Sequence, residues 1–186
     1  MTSVIDRIDA ALDMTGAIVD RLSPADLGRP SLCAGWDRRF ELNHLVGGMR
    51  IFAAELTGST PGGDHHDDWL GDDPRRAYAT AAALDRAAWQ LPSALDTTVR
   101  LSFGPMPGPV AALIHLTEVL VHGADLAVVA GTPELVDDRL CADLLGLMAD
   151  VDMDPFRQMG AFGPARPTAP DAPAHNRLLA FLGRPV

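Results

Sequence analysis

Apolar residues recur at three- and four-residue steps from Ser3 to Leu22, at Val4, Ile5, Ile8, Leu12, Ile18, Val19 and Leu22. That is the period of a helix burying one face. The next such segment runs from about Trp36 to Leu56 through Phe40, Leu45, Phe52 and Leu56, with Gly58 placed to cap its end. Between the two, Ser23, Pro24 and Asp26 suit a single helical turn. The polar loop of residues 58–73 ends on acidic residues before Pro74, which starts a third helix reaching about Leu91. Thr97 to Phe103 is β-like, but it is short and solitary, so an extended connection rather than a sheet is expected. The most apolar stretch, Pro109 to Ala130, predicts a fourth helix closed by Gly131. Asp137 and Asp138 open a fifth, which carries Leu140, Leu144, Leu145 and Met148 and ends near Asp152. Residues 152–186 then form a Pro- and Gly-rich strap on the surface, ending in a short helix that docks through Leu178, Leu179 and Phe181. Amphipathic helices with almost no strand signal predict an all-α bundle, and the length fits one domain spanning residues 1–186.

Composition narrows the partners. With 47% hydrophobic and 22% charged residues the chain reads as soluble and globular. The N-terminus shows no signal-peptide pattern and no apolar run reads as a membrane span, so a cytoplasmic protein without a membrane partner is expected. A net charge of -10 argues against nucleic acid, whose affinity comes from clustered cations. All 15 basic residues are arginine, a bias of GC-rich coding sequence that also removes lysine chemistry. Cys33 and Cys141 lie far apart with no CxxC spacing, so neither a disulfide framework nor a thiolate zinc cluster is indicated.

The fourth helix carries polar groups that an apolar interior does not tolerate bare: His115, Glu118 and His122. At about 100° per residue all three fall on one wall, and Glu118 and His122 stack one turn apart, able to hold the same ion. A third ligand from a facing helix is the usual complement in bundle metal sites, and His44, midway along the second helix, supplies it. Gly47 and Gly48 follow His44 and strip the neighbouring turn of side chains, which fits room for a metal or ligand. Two imidazoles and one carboxylate leave an open coordination position, the arrangement of a catalytic rather than a structural ion. Zinc is the default divalent metal, with nickel or iron as alternatives. A plain Glu/His helix contact is the competing reading. His115 reads as a packing neighbour, and Asp125 as a partner for the second ring nitrogen of His122. His65 and His66 read as solvated loop residues, Cys33 as a packed thiol, Trp36 as a core anchor of the second helix, and Arg38, Arg39 and Arg50 as solvated surface.

At these residues the chain resembles a known family. CAGWDRRFELNHLVGG and LTEVLVHGADLAVVAG resemble two signatures of the mycothiol-dependent maleylpyruvate isomerase N-terminal domain family, within the DinB/YfiT-like superfamily. AFGPARPTAPDAPAHNRLLAFLGR resembles the ending of a short, single-domain actinobacterial branch. The resemblance implies a DinB/YfiT-like four-helix bundle with extra C-terminal helices, and metal ligands at His44, Glu118 and His122. Ala124 departs from the tryptophan common at that position, which suggests a packing gap or a reshaped pocket. It further implies a thiol-dependent S-transferase or isomerase, with mycothiol as cosubstrate and a small-molecule thiol and an electrophilic substrate as partners; a homodimer stays open. A non-catalytic metal- or small-molecule-binding protein and a metal-dependent hydrolase are the alternatives.

Overall fold

The computed structural model describes residues 2–186. Its four long helices are α1 (Val4–Val19), α2 (Arg38–Thr57), α3 (Pro74–Trp89) and α4 (Gly108–Ala130). α1 packs on α4 and α2 on α3, while contacts of α1 with α3 and α2 with α4 close the four-helix bundle. Short polar side chains start the helices where the sequence predicts. Ser3 and Asp6 form a capping box on α1, Asp37 accepts the Phe40 N–H at 2.7 Å, and Asp73 caps α3 ahead of Pro74. Gly58 and Gly131 end α2 and α4 in the left-handed conformation that favours glycine.

α4 is the central element, buried along most of its length. Its 23 residues, with a mean hydropathy of 1.5 over an 18-residue window, are long and apolar enough for a membrane span, contrary to the expectation from sequence. Its faces are instead covered by the rest of the bundle, as in the core helix of a globular fold. α1 comes close to α4 at Gly123, where an added Cβ would collide with the Thr15 hydroxyl. That hydroxyl donates to the Val119 carbonyl at 3.1 Å, tying the two helices together.

Two expectations are corrected. Thr98–Leu101 (β1) is not solitary: it pairs antiparallel with Gly104–Pro107 (β2), forming a small hairpin. The sequence hid this partner because Gly-Pro-Met-Pro carries no strand signal, yet an edge strand with one neighbour tolerates proline. Second, the C-terminal segment is more than a surface strap. After α5 (Asp138–Ala149) it forms a short helix, α6 (Asp154–Gln158), and buries Met153 against the core. The last helix, α7 (Ala174–Phe181), docks on α5 and α4 through Leu178 and Leu179 as expected. Phe40, expected inside, is exposed.

Candidate metal centre

α2 and α4 bring the three expected ligands together. His44 Nε2 lies 2.9 Å from Glu118 Oε2, and His122 Nε2 lies 3.5 Å from the same oxygen. One ligand atom from each residue falls within 4.8 Å of the others. Bonds of about 2.0–2.1 Å in a tetrahedral shell set neighbouring ligand atoms roughly 3.3–3.5 Å apart, and the 2.9 and 3.5 Å separations from Glu118 lie close to that spacing.

His122 is held from behind by residues the sequence reading missed. Its Nδ1 lies 2.9 Å from Glu41 Oε1, and Glu41 is fully buried. With Nδ1–H donated to Glu41, Nε2 is the ring nitrogen that faces Glu118 and His44. Asp125, expected in this role, lies farther off at 3.7 Å and instead accepts from Arg184 Nε at 3.1 Å. Cys33 is no isolated packed thiol. Its sulfur lies 3.8 Å from His122 Nδ1, 3.6 Å from both Glu41 and Asp125, and 3.2 Å from Arg184 Nη2. Trp36 is not a core anchor: its ring stacks on His122 at 5.7 Å and tilts against His44 at 5.0 Å, covering one side of the centre. Glu41 could have been suspected, since it precedes His44 by three residues and so shares its helix face. Arg184 had no sequence signal, because it arrives from the far end of the chain.

Electrostatics follow this crowding. Burial works to raise the Glu118 carboxyl, but bonds from His122 and His44 outweigh it and hold it well below the usual range. Burial likewise works against a charged His122, yet contacts with Cys33, Glu118 and Glu41 outweigh it and raise the imidazole well above its ordinary value. Cys33 is pushed up, chiefly by burial, despite the neighbouring His122. Burial also lifts Asp125 to about 6, against the pull of Arg184.

The other candidates settle elsewhere. His115 bonds to Asp85 at 2.7 Å, both fully buried, and is outside the group of donors that meet at the centre. Gly47 makes way for the 64–69 loop, because a Cβ there would meet the His65 carbonyl and the Trp69 indole at 2.9 Å. Gly48 faces a cavity. His65 is partly buried and its Nε2 reaches the His44 carbonyl at 3.1 Å, so this loop is more ordered than its composition predicts. Arg38 is buried, donating to the Val129 carbonyl at 2.5 Å, while Arg39 pairs with Asp68 at the surface. Ala124 is fully buried.

Beside His44 and Glu118 a cavity of about 700 Å³ opens between α2 and α4. Its far walls are Phe103 of the hairpin, Met148 of α5, and Met153, Phe156 and Phe162 of the C-terminal segment.

The profile of the mycothiol maleylpyruvate isomerase N-terminal domain family matches residues 8–127, which include α2 and all but the last turn of α4. The chain belongs to this family. Two uncharacterized proteins of Mycobacterium tuberculosis, Rv0738 and MT0763, are each 28% identical to it over 177 residues, 95% of this chain and 94% of theirs. Among solved structures, a histidine-to-alanine mutant of the mycothiol-dependent maleylpyruvate isomerase superposes with a TM-score of 0.53 at 20% identity. That match covers 75% of this chain and 66% of the isomerase, just under two thirds of its length. A likeness at this identity establishes the shared bundle fold.

Proposed function

We propose that this protein binds a divalent metal ion through His44, Glu118 and His122 and uses it to activate a small thiol of the mycothiol type for S-transfer or isomerisation of a small electrophile. One observation carries the reading: three donor atoms from α2 and α4 lie within 4.8 Å of one another, two of their residues, His44 and Glu118, line a large cavity, and the chain belongs to the mycothiol maleylpyruvate isomerase N-terminal domain family. Zinc is the expected ion on donor chemistry, since imidazole and carboxylate suit it. When bound, such an ion supplies Lewis acidity at an open coordination position, enough to favour the thiolate of a bound thiol near neutral pH.

The chain's own groups do the rest. Glu41 fixes the tautomer and orientation of His122 from behind, and Trp36 covers the imidazoles against solvent. Glu118 contributes charge: as a carboxylate it offsets one unit of a dication and leaves the centre electrophilic. Cys33, its sulfur hemmed in by His122, Glu41, Asp125 and Arg184 and its thiol pushed up by burial, is given a packing role, and the reacting thiol is the small molecule's.

Metal analysis of purified wild type beside His122→Ala and Glu118→Gln tests the centre. Near-stoichiometric metal in the wild type and its loss in both variants is expected; equal metal content in all three would overturn the assignment. Metal-dependent loss of free mycothiol in the presence of an electrophile tests the reaction, and absence of turnover across a broad panel would leave a metal-binding protein without that chemistry.

A further inference from the structure

The cavity beside the centre has an unusual lining for an enzyme relative whose own substrate, maleylpyruvate, is a dicarboxylate by name. Its walls are Met49, Phe52, Ile114, Met148, Phe156 and Phe162, with Phe103 at the hairpin edge. The titratable groups that reach it are His44, His65, His66, His115 and Glu118. His115 is engaged by Asp85. No arginine lines the chamber among the described residues, and the chain contains no lysine. Arg50, the nearest candidate on α2, turns away and lies over the Trp69 ring at 5.2 Å.

Apart from the ion proposed at the centre, an organic dianion in such a space would give up its hydration with no arginine or lysine to pair it, and the Glu118 carboxylate lines the chamber. The net charge of -10 repels anions before they arrive. Apolar and aromatic walls of about 700 Å³ instead match the size and character of sites for small organic molecules, and methionine and phenylalanine adapt to varied apolar shapes.

We infer that this chamber is the substrate compartment and that it takes an uncharged, largely apolar small molecule rather than an organic dianion. The inference rests on the metal-centre reading above only for the word substrate; the chamber's ligand preference can be measured without metal.

Nile red, uncharged and fluorescent in apolar surroundings, is the probe, with maleate as the dianionic competitor. Zinc-loaded wild type, chelator-treated wild type, His122→Ala, Gly48→Leu and Phe103→Arg are compared. Gly48 lines the chamber, and its nearest neighbour to an added Cβ is His65 Nε2 at an unstrained 3.7 Å. Leucine there projects toward the chamber and favours the helix, and a thermal melt of the variant matching the wild type separates lost binding from lost fold. Phe103 is an exposed hairpin residue whose replacement leaves the core untouched. The expected result is saturable binding of one dye per wild-type chain, weakened at least tenfold by Gly48→Leu and several-fold by Phe103→Arg, and undisturbed by millimolar maleate. His122→Ala should lose metal yet bind dye like the wild type, which separates failure of the metal reading from failure of this one. Absent saturable binding, unchanged affinity in Gly48→Leu, or displacement of the dye by maleate would each overturn the inference.

Discussion

Replacing Glu41 by Gln separates the two carboxylates that crowd His122. Glu41 Oε1 stands 2.9 Å from Nδ1 and Asp125 Oδ2 stands 3.7 Å away, so only the first makes a hydrogen bond. A hydrogen bond to a charged group contributes about 1.5–3 kcal/mol. Independently, loss of the outer partner of a ligand histidine lowers metal affinity roughly 10–100-fold, or about 1.4–2.7 kcal/mol. The two figures agree. Gln keeps a carbonyl oxygen for Nδ1–H while removing the charge, so Glu41→Gln should weaken zinc binding about tenfold, and Glu41→Ala, which strands that N–H, closer to a hundredfold. Stability should barely change in Glu41→Gln, because Glu41 Oε2 is already buried without a partner among the described residues. Asp125→Asn behaves oppositely. It leaves the buried Arg184 guanidinium short of its carboxylate, costing about 3–5 kcal/mol of stability, while zinc affinity shifts by less than about threefold. Zinc competition against a chromophoric chelator, with thermal melts of each variant, measures both quantities. Unchanged affinity in Glu41→Gln, or a larger affinity loss in Asp125→Asn, would refute the assignment of Glu41 as the group that orients His122.

Three further outcomes are expected. His115→Ala leaves Asp85 buried and unpaired, so melts should show a loss of about 3–5 kcal/mol with metal content unchanged; lost metal would add His115 to the ligand set. Gly123→Ala drives a methyl into the Thr15 side chain and should cost about 1–3 kcal/mol in urea unfolding, whereas a neutral result would mean that α1 and α4 yield easily. Burial lifts the Cys141 thiol from an ordinary 9.0 to about 12, which leaves about a thousandfold less thiolate at neutral pH. A disulfide reagent should therefore label it slowly in the native protein and readily in denaturant, and rapid native labelling would show that α5 opens.

The sequence made the bundle legible because its signals are local. Periodic apolar faces, the acidic residues before Pro74, and Gly58 and Gly131 as stops each act within a turn or two of chain. The meeting of His44 with Glu118 and His122 was also legible, because polar groups on otherwise buried helix faces must find each other. What escaped were groups whose role depends on distant chain. Cys33 and Trp36 sit in a loop whose fold no periodicity predicts. Arg184 crosses from the last residues to Asp125, and the chamber wall needs α5, α6 and the hairpin to converge. The hairpin was missed for a different reason: register and edge position, not propensity, make Gly104–Pro107 a strand.

The centre contains a second group of donors, and its arrangement bears on why His44, Glu118 and His122 are the better candidates. Cys33, Glu41, His122 and Asp125 also offer ligand atoms within 4.8 Å of one another, one donor more than the other group. His122 belongs to both, Nδ1 on one side and Nε2 on the other. The four-donor side already holds a cation: the Arg184 guanidinium bonds Asp125 and Cys33 and supplies the charge that those groups require. With that side filled and Nδ1 bonded to Glu41, the ring is left with Nε2 facing Glu118 and the chamber. The division also follows the chain. Residues 8–127, matched by the family, carry the three candidate ligands, whereas Arg184 and the walls at Met148, Met153, Phe156 and Phe162 come from beyond them. A bundle of this kind can therefore keep one centre and change what enters it by rebuilding the C-terminal segment alone, which is where differences in substrate among its relatives should be sought.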